Sequence, residues 1–204
     1  MGSSPAGRIS RTVRRGGIPT TGGRDVACRH SPRMKEVFQV IEMMKREGVI
    51  KDYAVTGAIG AIFYVEPFNT ADIDFLVNLP SSDSLLISLE PIHSWLRSRG
   101  YEIDSGGSFV VEGWPIQYVP VGSELAAEAL REAHYLPFEP GVSVRVVKAE
   151  YLAAEAVRIG RPKDIQRVSM LILVDDFDAD LFADIAKRFS LEDKWKKIEP
   201  HIRV

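Results

Sequence analysis

The stretch Tyr53–Leu79, YAVTGAIGAIFYVEPFNTADIDFLVNL, restricts the architecture of this chain more than any other. It runs from a short apolar segment through a glycine and a small-residue helix to a loop and a second apolar segment that carries two acids. Read as strand, turn, helix, loop and strand, it puts Asp72 and Asp74 two residues apart in extended chain. Both carboxylates then leave the same face, with their backbones about 7 Å apart. Two acids side by side repel each other, and packing alone does not select them. Mg²⁺ is commonly held by one or two carboxylates together with substrate phosphates. Upstream, Thr56-Gly57-Ala58 closes the first strand and opens the helix, where backbone N–H groups beside a glycine suit a phosphate. The combination points to nucleotide chemistry. Taken singly, the parts have plainer meanings: an Asp-x-Asp is most often a solvated edge, and a glycine after a strand is most often a turn.

Around this stretch the pattern alternates between helix and strand. Val37, Phe38, Ile41 and Met44 form the stripe of an amphipathic helix over Met34–Glu47, ended by Gly48. The helix after Gly57 runs from about Ala58 to Tyr64 and stops before Pro67. Asn69 and Thr70, just ahead of the acids, shape a turn or reach a phosphate, with the turn favoured. Pro91 suits the first turn of a helix over Glu90–Ser98, on which His93 reads as a surface residue. Extended segments follow at Tyr101–Asp104, Ser108–Glu112 and Pro115–Val121, the last two joined as a hairpin near Gly113. Ser123 caps a helix over Glu124–Ala133 that His134 and Tyr135 end. Leu136-Pro137-Phe138 and Val142–Val147 read as extended segments, the second as the strand that ends the sheet. From Lys148 onward the pattern is helical: Glu150–Ile159, Pro162 to about Val174, 178–189, and 191–198 with Trp195 as an anchor.

The fold class expected is therefore α+β, a small mixed β-sheet flanked by helices over 34–147, with a C-terminal helical segment over 148–204. A length of 204 residues holds one ordinary domain or a small one with a helical appendage. The charge is unevenly spread. Residues 1–33 carry seven Arg against one Asp, a net +6, so the chain's −2 leaves −8 on the remainder. The remainder is thus no basic nucleic-acid surface overall. Residues 1–33, rich in Gly, Ser, Thr, Pro and Arg without a periodic apolar face, are expected to be a disordered extension upstream of the true start. A transit peptide or a basic arm on nucleic acid are the other readings of that segment. A single Cys28 excludes an internal disulfide and agrees with a cytoplasmic protein. No apolar run reaches the ~18–20 residues of a membrane span.

Two further places bear on chemistry. The strand Ile116-Gln117-Tyr118-Val119 carries Gln117 where the resemblance given below implies a third carboxylate, and an amide serves neither as a general base nor as a good Mg²⁺ ligand. Asp104 and Glu112, on neighbouring strands, are the acids that would substitute. Between two C-terminal helices lies Gly160-Arg161-Pro162-Lys163-Asp164, where Arg161 and Lys163 flank a helix N-terminus. That places positive charge beside the dipole, suiting a triphosphate or an RNA backbone, although a solvated basic turn is the plainer reading.

The small-residue pair Gly57-Ala58, thirteen residues and then Asp72-Ile73-Asp74 resembles the signature of the polymerase β-like nucleotidyltransferase superfamily. Ala58 stands where that signature usually has Gly or Ser. The segment EYLAAEAVRIGRPKD extends the likeness to the AbiEii-type nucleotidyltransferases, toxins of type IV toxin–antitoxin and phage-defence systems, over roughly Tyr53–Val174. The resemblance implies Mg²⁺ on Asp72 and Asp74, with an NTP as substrate. It further implies nucleotide contacts from Thr56, Gly57, Ala58, Arg161, Lys163 and Asp164, with Lys163 catalytic beside the two acids. The implied acceptor is an RNA end or a protein side chain, and the implied partner an antitoxin protein. This sequence departs from the pattern at Gln117, in place of a third acid, and at Glu155 or Ala156, in place of a helix lysine. Two readings stand: a Mg²⁺-dependent nucleotidyltransferase, and a catalytically degenerate binding module of the same fold.

Overall fold

A computed structural model describes residues 32–67, 69–80 and 87–202. The disordered-extension reading lies outside the described residues up to residue 31, as does the Ser81-Ser82-Asp83 break. The strands are β1 (Asp52–Thr56), β2 (Ile73–Asn78), β3 (Glu102–Ile103), β4 (Phe109–Val111), β5 (Trp114–Pro120), β6 (His134–Glu139) and β7 (Val142–Val146). The α-helices are α1 (Pro32–Arg46), α2 (Gly57–Ile62), α3 (Glu90–Ser98), α4 (Glu124–Glu132), α5 (Ala149–Ile159), α6 (Pro162–Leu171), α7 (Ala179–Arg188) and α8 (Glu192–Ile198). The expected α+β class is what forms, with one mixed sheet of seven strands in the order β3-β4-β5-β2-β1-β7-β6.

The strand register decides where the chemistry lies. β1 runs antiparallel to β2 with Thr56 opposite Asp74, and β2 runs parallel to β5 with Asp74 opposite Gln117. Thr56, Asp74 and Gln117 therefore form one row across three strands and, by the two-residue alternation, one face. The turn between β4 and β5 is made by Glu112 and Gly113, both at positive φ (51° and 86°), as a two-residue hairpin of type I′ requires.

Alternation assigns the two faces to different cores. Tyr53, Val55, Ile73, Phe75, Val77 and Ile116 point to the side covered by α1 and α3. Phe75 is the centre of that layer, meeting Phe38 and Tyr53 edge-on at 6.3 and 5.8 Å between ring centroids. Each such ring, fully buried, contributes roughly 1.5–3 kcal/mol. Ala54 and Leu76 point to the opposite side, where they share a core with α4 and with α5 to α8. Helix α5 is buried along most of its length and carries Ala153, Ala154 and Ala156, small side chains that suit its close packing against α6 and α7. The buried Glu150 on this helix accepts the Asp178 backbone N–H at 2.9 Å, fixing the start of α7.

Several local expectations change. Helix α4 stops at Glu132, and His134 begins β6 rather than ending the helix. His134 pairs with Val146 in the ladder, and its Nε2 lies 2.8 Å from the Tyr64 hydroxyl, so tertiary contacts hold it in the strand. Pro137 is accommodated because β6 is the outer strand of the sheet. Helix α6 closes at Leu171, three residues before the expected Val174, and the chain turns there. Asp72 lies one residue ahead of β2 rather than on it. Among the described residues no helix is long and apolar enough to cross a membrane.

Candidate functional site

On the face that carries Asp74, the sheet and helices α4, α5 and α6 enclose a cleft of about 1010 Å³. Its lining includes Thr56, Gly57, Ala58, Asp72, Asp74, Gln117, Arg161 and Lys163. The remainder of its lining is mixed, with Leu76, Val119, Ala126, Ala129 and Leu152 beside Glu155, Arg158, Gln166 and Arg167. Thr56, Asp74 and Gln117 are joined here because β2 lies between β1 and β5.

The two acids are held differently. Asp72 accepts the Gln117 side-chain amide through Oδ2 at 2.8 Å and the Thr70 hydroxyl through Oδ1 at 3.3 Å. Thr70 thus shapes the turn into β2, and it lines the cleft as well. Asp74 is half-buried, and its carboxylate lies against Gly57, whose φ is +62°. An added Cβ on that glycine would lie 1.9 Å from Asp74 Oδ2. Gly57 is therefore required both for its left-handed backbone and for the space it leaves to the acid. Burial, and then the neighbouring Asp72 carboxylate, push Asp74 up to about 6, with Arg167, Lys163 and Arg161 pulling in the opposite direction. An acid in this state favours an added cation, which would relieve both causes.

The α6 end behaves differently from the sequence reading at one position. Lys163 is exposed on the cleft wall, but Asp164 is fully buried and does not line the cleft. Its Oδ2 accepts the Arg161 backbone N–H at 3.2 Å and Arg161 Nε at 2.7 Å, closing the first turn of α6 as a capping box. Its Oδ1 accepts Arg161 Nη2 at 3.2 Å and lies 3.5 Å from Arg167 Nη1. Asp164 therefore organises arginines instead of facing a ligand. Arg167 was not singled out by motif reading, yet it lines the cleft with a side chain only 13% exposed. Its Nε is buried without a hydrogen-bond partner, an arrangement that costs about 1–3 kcal/mol if nothing fills it. The signal in the sequence was the spacing of Arg161, Asp164 and Arg167 at i, i+3 and i+6 along one helical stripe.

The substitute acids are turned elsewhere. Asp104 Oδ1 accepts the backbone N–H groups of Gly106 and Ser108, making the β3–β4 turn. Glu112 accepts the Tyr101 hydroxyl at 3.0 Å. On α5, both Glu155 and Ala156 line the cleft, and Glu155 is held by Arg158 Nε at 2.7 Å. Among the described residues no group of three His, Cys, Asp or Glu side chains is placed to hold a metal. The donor set fits Mg²⁺ only as an ion shared between Asp72, Asp74 and ligand phosphates, not as one caged by protein.

No protein-family model matches the chain, and no curated protein matches it. It is similar in structure to an antigenic nucleotidyltransferase-like protein from Paracoccidioides brasiliensis, with 18% identity over 81% of this chain and 93% of that one and a TM-score of 0.45. It is also similar to the antibiotic-resistance factor ANT(2'')-Ia in solution, with 14% identity, coverage of 82% and 96%, and a TM-score of 0.47.

Proposed function

We propose that this cleft binds a nucleoside triphosphate with Mg²⁺ and transfers its nucleoside monophosphate to an acceptor hydroxyl. The observation that carries the reading is that Asp72, Asp74, Arg161 and Lys163 line one cleft, with the charges of the other three acting on Asp74. Carboxylates without nearby cations would hold a metal but repel a polyphosphate, and cations alone would hold a phosphate but position no metal. Asp72 and Asp74 would hold Mg²⁺, which supplies charge neutralisation along the phosphates. The acceptor oxygen bonds to the α-phosphorus, the bond from that phosphorus to the bridging oxygen breaks, and pyrophosphate leaves. The acceptor's proton is released to water. Lys163 and Arg161 offset the charge gathering on pyrophosphate, and Thr70 and Gln117 keep the Asp72 carboxylate oriented. The likeness to AbiEii-type proteins supports an RNA end or a protein side chain as the acceptor, and a role as the toxin of a toxin–antitoxin or phage-defence pair.

A second reading, a binding module without transfer, is favoured by one observation. The residue beside Asp74 on β5 is an amide bonded to Asp72, and the nearest alternative acids are committed to turn and tyrosine contacts. Incubation with labelled NTPs, Mg²⁺ and total RNA, beside an Asp72→Ala/Asp74→Ala control, separates the two. Metal-dependent label transfer that the control lacks supports the enzyme. Retained NTP binding with no transfer to RNA or protein supports the module.

A further inference from the structure

We propose that Arg167, positioned by Asp164, is a metal-independent receptor for a phosphate oxyanion inside the cleft, forming a two-armed clamp with Arg161. Arg161 is the outer arm, its side chain 55% exposed, and Arg167 the inner one at 13%. Both reach the same fully buried carboxylate, but they are not held equally. Arg161 takes three of the hydrogen bonds that Asp164 accepts, at 2.7 to 3.2 Å. Arg167 is left with one contact at 3.5 Å, through Nη1. Its Nε is shielded from water and unpaired, whereas buried polar groups are paired almost without exception. The Nε–H and the neighbouring Nη–H of a guanidinium form a planar fork that matches two oxygens of one phosphate. Arg167 lines the same cleft as Lys163 and the two acids, and its shielded Nε meets a phosphate once the side chain turns outward. A metal held by two carboxylates only is thereby supplemented by a contact that needs no metal.

The plainer account is that Arg167 merely balances the charge of Asp164 and Asp74. Lysine separates the two, because it keeps the charge and loses the fork. The choice of a nucleotide's phosphate as the oxyanion rests on the reading of the cleft as a nucleoside triphosphate site.

The test is calorimetric titration of inorganic tripolyphosphate into the full chain in EDTA, with circular dichroism melts to verify folding. Wild-type protein is expected to bind, and Arg167→Gln to bind about 10- to 100-fold more weakly, with Arg167→Lys recovering only a small part. Equal binding by wild type and Arg167→Gln, complete recovery in Arg167→Lys, or no binding by wild type would each overturn the clamp. Should Arg167→Gln fail to fold, the wild-type Arg167 Nε–H resonance, followed by NMR, decides the matter. A shift on adding tripolyphosphate supports the contact, and an unmoved resonance overturns it. ATP separates the clamp from the nucleotide reading. If tripolyphosphate binds through Arg167 and ATP does not compete, the clamp stands and the nucleotide reading falls. If ATP binds with Mg²⁺ and Arg167→Gln changes neither ligand, the clamp falls and the nucleotide reading stands.

Discussion

Gly57 and Asp74 share one space: a methyl group on the glycine would lie 1.9 Å from the carboxylate oxygen Oδ2 and 3.0 Å from the Asp74 Cβ. The acid reaches its place in the cleft only because the residue opposite has no side chain. Gly57→Ala combines that clash with a left-handed backbone costing roughly 1–2 kcal/mol. It is expected to destabilise the protein by about 2–4 kcal/mol and to weaken Mn²⁺ binding at least tenfold. Denaturant melts and paramagnetic titration read the two effects. The destabilisation should shrink in an Asp74→Ala background, and strict additivity of the two substitutions would refute the contact.

Asp74 itself strains the unliganded fold. Its folded value of about 6 lies above the ordinary 3.8, so the folded state holds this proton more tightly than the unfolded chain does. The favourable contribution is complete below pH 3.8 and is lost as pH rises through about 6. Asp74→Asn removes that loss. The variant should match wild type near pH 3.5 and exceed it by about 2–3 kcal/mol above pH 7, on the order of 5 °C in Tm. Melts in EDTA across pH 3.5–8 measure this, and a difference independent of pH would contradict it.

Gln117 neutralises one lobe of the acidic pair by donating to Asp72 at 2.8 Å. Gln117→Glu replaces that donor with a third negative charge beside Asp74. The metal-free protein should lose about 1 kcal/mol, or roughly 2–4 °C in Tm, while its affinity for Mn²⁺ rises severalfold. Calorimetric titration and melting with and without the ion check both signs. A fall in metal affinity would show that the amide is part of the site's design.

Far from the cleft, Asp52 on β1 ties α1 to the sheet through Lys45 at 2.7 Å and holds β7 through Arg145. Burial raises this carboxyl, but the hydrogen bonds from Arg145 and Lys45 outweigh it and leave the value below 3.8. Its stabilisation is complete above the ordinary value and is lost as pH falls through the depressed one. Asp52→Ala is expected to cost about 2 kcal/mol at pH 7, since it leaves a largely buried Arg145 with backbone carbonyls such as that of Leu130 but no carboxylate. The deficit should narrow in strongly acidic solution, as urea melts at successive pH values would reveal.

Periodicity and turn chemistry made the central unit readable. Two-residue spacing put Asp72 and Asp74 on one face, and Gly113 marked the hairpin that carries Gln117 to them. Both signals are local. What stayed hidden depended on long-range pairing or on direction. The extended reading of Leu136-Pro137-Phe138 stops short of His134, which Val146 and Tyr64 draw into the strand. Asp104 and Glu112 have the right charge in the right region, and only coordinates show them serving a turn and a tyrosine. Asp164 and Arg167 exchange their expected importance for a similar reason. A motif specifies which charges are present but not which one is buried as the pivot, although the three-residue spacing was open to view.

Helix α5 roofs the cleft with Leu152, Glu155 and Ala156 while its other side packs into the shared core beneath α7 and α8. The binding surface and the structural ballast of the last 50 or so residues are thus carved from one rod. A fragment ending after β7 would keep α4 against β1 and β2. It would lose the α5 to α8 part of the core that Ala54 and Leu76 share, and with it the walls that α5 and α6 give the cleft. Evolution or engineering can reshape the entrance to this chamber through its loops, but trimming the tail would dismantle the room itself.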